Sequence, residues 1–398
     1  MIQLSMKIQR FAIILVVGTA TIIVPGSQGF AAPRGRAIIK DGTVKTDDGQ
    51  LLRGMSLHVS KTYSARAVQW GLQISNLIDV RDKLHMNSIR LNCLDPRAVK
   101  DGRPTQAFAT IAEEAVYTDS IIALAGEVGL NIVLNYHCLM LVTDGGTWDI
   151  RNFWKFYAPR YKDKTWVSYE IENEPWQHPP NSPGAVWNPS DAPSLSLEAE
   201  LYKIVRSAAP NSMILTGYEP VCVTDNWAPY LKDIYAPAAG INWNSGKDAW
   251  PWHPYQETNS ASIKATRAAG IPMIMTENSY PEEGDNNAII DGYHYPAEWC
   301  ERNGVSWLDW HRWNTADQLA TPLAYLIPDA QKKGWAWWGT AGTHPIARAP
   351  LDALVDKSIK SIMINANGRI IDKQATGNRE FTVSIRRDIN VEKQDNRR

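Results

Sequence analysis

Residues 131–137, NIVLNYH, form an apolar run that closes on polar side chains, and residues 166–175, WVSYEIENEP, repeat the form 35 positions on. Short runs rich in β-branched and aromatic residues, bounded by turn signals, read as strands of a buried sheet. Working outward from this pair, similar runs begin at Ser212 (SMILTGYEP), Ala249 (AWPWHPY), Pro272 (PMIMTEN) and Gly304 (GVSWLDW) on one side. On the other side they begin at Asn87 (NSIRLN) and Leu51 (LLRGMSLH). Successive starts lie 23 to 46 residues apart, which leaves room for a crossover helix, and residues 75–84 and 111–128 show amphipathic helical periodicity. Eight strands alternating with helices are the signature of a single α/β domain, a (β/α)8 barrel. A doubly wound open sheet is the structural alternative. It would carry a Gly-rich phosphate turn after an early strand, and neither GxGxxG nor GxxxxGK[ST] occurs in the chain.

The 398 residues carry 41 basic and 42 acidic side chains, a net charge of −1, so there is no electrostatic footprint for nucleic acid or an anionic membrane. The chain has 17 Trp and 15 Tyr against 6 Phe, a bias towards rings with a polar edge. Such rings suit sugars, whose apolar faces stack and whose hydroxyls accept and donate; they serve equally well as core.

Residues 1–31 read as a secretory signal, with Lys7 and Arg10 ahead of a 14-residue apolar run at 11–24, too short to span a bilayer. The mature chain is expected to begin near Ala32, to be secreted or periplasmic, and to act as a monomer without contact to a membrane. Export makes Cys93, Cys138, Cys222 and Cys300 candidates for disulfides, with Cys93 and Cys138 able to pair if their strands are neighbours. Residues 32–353 are expected to form the barrel domain. Within it, the polar stretch 40–49, with its DG and DDG signals, fits a hairpin closing the barrel bottom. Residues 354–398 form an extension without Trp, to which no role is given.

In a barrel of this kind the active site lies at the carboxyl ends of the strands. Those ends supply His58, Arg90 with Asn92, His137, Asn173 with Glu174, His253 with Tyr255, Glu277 and Trp310. Glu174 and Glu277 end the fourth and seventh strands and can face each other across the mouth. Two opposed carboxyls suit glycoside hydrolysis, one protonating the departing oxygen and the other attacking or stabilising the anomeric carbon. Arg90 can orient a carboxylate and keep it ionised, Asn173 can donate to a sugar 2-hydroxyl, and Tyr255 and His253 can each hydrogen-bond a carboxyl. Trp310 can form a platform under the reacting ring. Three histidines at strand ends, His58, His137 and His253, could instead gather zinc, but the HxH pair and bridging lysine of barrel metallohydrolases are missing. No cofactor is expected.

The stretches LLRGMSLH, NSIRLN, GLNIVLNYH, YEIENEP, WHPY, IPMIMTEN and NGVSWLDW, in that order, resemble glycoside hydrolase family five, and most closely its bacterial endo-β-1,4-glucanase branch. The resemblance runs over residues 42–353. It implies a retaining (β/α)8 glycosidase acting on a β-1,4-glucan, with Glu174 as acid/base and Glu277 as nucleophile. Arg90, His137, Asn173, His253, Tyr255 and Trp310 would complete the set, and His58 would contact sugars on the non-reducing side. The chain departs from the family in reading Glu277, Asn278, Ser279 where Gly usually stands two residues after the nucleophile. It also reads NCLD and HVSKTY where the cellulase branch often carries aromatics. These changes concern distal sugar sites, so β-mannan, xyloglucan and mixed-linkage glucan stay open as substrates. A carbohydrate-binding barrel without catalysis is the remaining alternative.

Overall fold

The structure, a computed structural model, describes residues 33–59, 77, 80–81, 86–94, 108–137, 143–175, 192–218, 223, 225–254, 258–278, 290–291 and 296–309. Eight parallel strands close into a barrel: β3 (Arg53–Val59), β4 (Ser88–Leu94), β5 (Asn131–His137), β6 (Val167–Glu170), β7 (Ile214–Leu215), β8 (Asp248–Trp252), β9 (Met273–Met275) and β10 (Trp307–Asp309). Each pairs with its successor, and β10 returns to β3 through Trp307↔Arg53 and Leu308↔Gly54. The eight runs read from the sequence are these eight strands, and the open-sheet alternative falls with the β10 to β3 pairing.

The helices between them are α1 (Ile111–Val128), α2 (Ile150–Tyr161), α3 (Ala192–Ala208), α4 (Ala236–Ala239), α5 (Ser260–Ala268) and α6 (Pro296–Asn303). A six-residue segment with i→i+5 hydrogen bonding, Tyr230–Tyr235, leads directly into α4. The bounds of α1 are written in its ends. Thr110 caps the first turn by accepting from the Glu113 N–H at 3.2 Å, and Gly129 leaves the helix in the left-handed region at φ 79°.

Strand alternation sorts the core into two layers. Ile132, Leu134 and Tyr136 of β5, Tyr169 of β6 and Trp250 and Trp252 of β8 point outward into the layer between barrel and helices. Val133, Leu215, Ala249, Ile274 and Leu308 point inward and plug the amino end of the barrel together with Leu52 and Val44. The expected hairpin is present. β1 (Ile38–Lys40) and β2 (Thr43–Lys45) pair antiparallel around Asp41 and Gly42, both at positive φ. It is stitched to the barrel floor by Thr43, whose hydroxyl donates to Met273 O at 2.7 Å and accepts from the Ser306 N–H at 3.0 Å.

Most of the described tryptophans belong to the core, with Trp166 and Trp227 half-buried against it. Trp148, Trp154, Trp250, Trp252, Trp299 and Trp307 are fully buried. Several have their indole N–H satisfied internally, Trp154 donating to Ile171 O and Trp250 to Tyr218 O. Each buries about 150–250 Å², roughly 4–6 kcal/mol of transfer free energy before ordering costs. The possible Cys93 to Cys138 disulfide is corrected: Cys93 is a buried free thiol. It points outward from β4 to Glu114 and Thr118 of α1, and burial with the adjacent Glu114 carboxyl pushes the thiol up. Cys300 is likewise free and buried, beside Met275. No helix among the described residues is long and apolar enough to cross a membrane. The extension 354–398, the leader and the closing segment of the barrel domain lie outside the described residues.

Candidate active site

Three strand ends converge at the barrel mouth. His253 directly follows β8, Glu277 stands two residues past β9, and Glu174 four residues past β6. One carboxylate oxygen of each glutamate and a ring nitrogen of His253 all lie within 4.8 Å of one another. That spacing is of the order expected for two carboxyls working by double displacement, about 5 to 5.5 Å, and is too close for a water held between them in a single displacement.

Each carboxyl has its own partner. Arg90 points inward from β4 and is fully buried. Its guanidinium donates from Nη1 to Glu277 Oε2 at 2.6 Å, from Nε to Glu170 Oε2 at 2.7 Å and from Nη2 to Asn173 Oδ1 at 2.9 Å. This planar fork fixes three groups at once, which a lysine could not do. With Asn173 Oδ1 engaged, the donor end of its amide is the end that can meet a sugar hydroxyl.

On the other side, His253 Nδ1 lies 2.5 Å from Glu174 Oε1, and its Nε2 lies 3.2 Å from Thr276 Oγ1. With the Thr276 hydroxyl donating to Nε2 the ring proton would sit on Nδ1 and the imidazole would donate to Glu174; in either tautomer the contact orients the carboxyl. Glu174 itself sits at φ 41°, in the left-handed region, although the proline after it favours extended backbone. Such a conformation costs about 1–3 kcal/mol and persists only where surrounding contacts hold it.

Of the remaining residues expected from the sequence, His137 ends β5, half-buried, with Nδ1 3.0 Å from Asn135 Oδ1. His58 lies on β3 in register with Asn92 of β4. Tyr255 and Trp310 lie outside the described residues. Two members of the site went unassigned in the sequence. Glu170 closes β6 on its inward face, two residues after Ser168, and could have been found by period-two counting along the strand. Thr276 immediately precedes Glu277 and carries no sequence signal of its own. The zinc alternative needed histidines to converge. Among the described residues the group of possible ligands that forms is Glu174, His253 and Glu277, without His137, and the Arg90 cation pairs with Glu277.

Arg90 lies between two buried carboxylates, so its loss should be costly in two ways. Arg90→Met is expected to destabilise the fold by about 3–5 kcal/mol, the usual consequence of leaving buried charge uncompensated. It is also expected to abolish the ordering of Glu277. A urea midpoint within error of the parent protein would show that the carboxylates find other partners.

A barrel whose mouth sets two opposed carboxyls, one on an arginine and one on a histidine, defines the glycosidase class of (β/α)8 sites. Comparison with known proteins specifies the family. The family model "Cellulase (glycosyl hydrolase family 5)" matches residues 43–316, more than half of the chain. The chain belongs to glycosyl hydrolase family 5. Over 231 residues it is 25% identical to endoglucanase E-5 of Thermobifida fusca, a match covering 56% of this chain and 45% of that protein. It therefore spans less than half the length of that relative. Among solved structures, the catalytic domain of a mannanase from Streptomyces sp. SirexAA-E superposes with a TM-score of 0.50 at 16% identity, covering 86% of this chain and 98% of that one. The catalytic domain of T. fusca endoglucanase Cel5A gives a TM-score of 0.44 at 20% identity, over 69% and 84% of the two chains. The mannanase likeness bears on the fold alone.

Proposed function

We propose that the protein hydrolyses internal β-1,4 bonds of glucan chains with retention of configuration. The observation that carries this reading is the pair of carboxyls at the barrel mouth, each with a distinct partner, Arg90 for Glu277 and His253 for Glu174. Glu277, held by Arg90 with its second oxygen directed at the substrate, attacks the anomeric carbon. Glu174 protonates the departing glycosidic oxygen in the same step. The sugar is then bound as an ester to Glu277. Glu174, now a carboxylate, draws a proton from water, which attacks the same carbon from the opposite face and releases the β-anomer. Asn173 supports both transition states through the 2-hydroxyl.

Glucan is preferred over mannan because the family model and the relative from T. fusca are a cellulase and an endoglucanase by name. Residues 1–31 are read as a leader removed on export, which places the enzyme outside the cytoplasm with its polysaccharide. The reaction as written uses only side chains of this protein, so excess chelator should leave the rate unchanged.

The test is reducing-sugar release by the chain from Ala32 onward on carboxymethyl cellulose, β-mannan and xylan side by side, with Glu277→Ala as the blank. Release from the cellulose derivative, absent in the blank, is the expected result. Release confined to mannan or xylan would overturn the glucan assignment. No release from any of the three by folded protein would favour the binding-only barrel. NMR of the first product should show the β-anomer, and an initial α-anomer would refute the nucleophilic role of Glu277.

A further inference from the structure

Glu170 takes no part in the reaction as written, yet it holds the same arginine as the nucleophile. It is the last residue of β6, on the inward face, in register with Asn135 of β5 and Leu215 of β7. Its Oε2 accepts from Arg90 Nε at 2.7 Å, while Arg90 Nη1 donates to Glu277 Oε2 at 2.6 Å. The side chains of Arg90 and Glu170 are both fully buried, and that of Glu277 nearly so. The apolar plug of Val133, Leu215 and Leu308 lies on the amino side of this cluster. A charge so placed is compensated by its ion partners, with little help from water.

Formation of the ester changes the charge around Arg90. A Glu277 oxygen bonds to the anomeric carbon, the glycosidic C–O bond breaks, and the Glu174 proton leaves with the departing oxygen. The Glu277 carboxylate thereby becomes a neutral ester, whereas an arginine stays protonated throughout. A buried guanidinium facing only neutral groups is the costly product of breaking a buried ion pair. Glu170 is chemically unchanged through the cycle and remains on Nε. With its charge present, the two carboxylates and the guanidinium pass from one negative charge in excess to balance as the ester forms. Without that charge they would pass from balance to one positive charge in excess.

We propose that Glu170 is a positioning residue that acts through Arg90: it is the counter-ion that keeps the guanidinium paired while Glu277 is esterified, and so favours the glycosyl-enzyme over the free enzyme. The proposal rests on Glu277 being the nucleophile of the reaction above. A guanidinium divided between two carboxylates also draws less strongly on each, so Glu277 parts from it more readily as it attacks.

Glu170→Gln tests this, because the amide keeps an oxygen that accepts from Arg90 Nε and removes only the charge. The probe is 2,4-dinitrophenyl 2-deoxy-2-fluoro-β-cellobioside, whose fluorine slows both steps so that each can be timed. Release of dinitrophenolate reads formation of the ester, and recovery of activity after the reagent is removed reads its breakdown. Formation is expected to slow by about 10- to 100-fold in the variant, with breakdown unchanged or faster. A merely structural role would disorder Arg90 and Glu277 and slow both steps together. Equal losses in the two steps, or parent rates in both, therefore overturn the proposal.

If Glu170→Gln does not fold, the crystal structure of the unaltered protein trapped as its fluorosugar ester decides. Arg90 still within hydrogen-bond distance of Glu170 supports the pairing, and a guanidinium turned away from Glu170 overturns it. The trapped parent also separates the two levels. A fluorosugar bonded to a residue other than Glu277, or to none, removes the nucleophile reading and this proposal with it. A fluorosugar on Glu277 that Glu170→Gln gains and loses at parent rates removes the role of Glu170 alone.

Discussion

Glu277→Ala is expected to lower turnover by more than about 10⁴-fold while leaving the protein folded, because the variant retains every binding contact but has no group to form the glycosyl ester. The expectation of a folded variant follows from the charge count around Arg90. That guanidinium lies between Glu170 and Glu277, at 2.7 and 2.6 Å, with Asn173 as a neutral third partner. Removing Glu277 leaves the Arg90 guanidinium paired with the buried Glu170 carboxylate. Removing Arg90 instead takes the guanidinium from two buried carboxylates at once, which is why the arginine variant should be less stable than the alanine variant. The substitution also opens a space on the face from which Glu277 attacks. Azide, entering that space, should restore turnover of an activated aryl β-glycoside and give the α-glycosyl azide. Loss of activity with no rescue, or a rescued product of β configuration, would move the nucleophile elsewhere.

The fold was legible because its signal is repeated. Each of the eight strands announces itself by a run of apolar residues ending in polar ones, and even β7, only Ile214 and Leu215 in the structure, was caught by its flanking SMILTGYEP. Helix α1 was legible to the residue because Thr110 and Gly129 mark its ends with capping chemistry. The site was legible in part. Residues at strand ends stood out because charge following an apolar run is unexpected, and the five so read, Arg90, Asn173, Glu174, His253 and Glu277, lie together at the barrel mouth. What escaped was whatever depends on which face a side chain takes, or on a partner far away in sequence. Glu170 was passed over as part of an apolar strand, its partner Arg90 lying 80 residues away. The left-handed backbone of Glu174 ran against the local signal of its proline. Cys93 and the buried tryptophans misled for a related reason: composition names a residue's chemistry without saying whether it faces the ligand or the helices.

Glu174→Gln is expected to cost about 10² to 10⁴ in kcat on cellulosic substrates, the usual worth of general acid catalysis, with the loss set by the leaving group. The amide keeps the shape of the carboxyl, and its oxygen can still accept from His253 Nδ1, the contact now made by Glu174 Oε1. The fold and the position of the side chain should therefore survive, and only the proton is lost. A glucosyl leaving group, a poor one, needs that proton for the bond to break, so formation of the ester slows. A dinitrophenolate needs none, so its release should stay fast. Breakdown of the ester then becomes limiting for the activated substrate, because water attacks without a base to accept its proton. The variant should show a burst of dinitrophenolate equal to the enzyme present, followed by slow steady turnover. Azide, which needs no base, should accelerate that second phase and yield the β-glycosyl azide, the opposite anomer to that from Glu277→Ala. The two variants thus assign the two carboxyls independently by product configuration. Equal loss on good and poor leaving groups, without a burst, would mean that Glu174 binds substrate and does not move its proton.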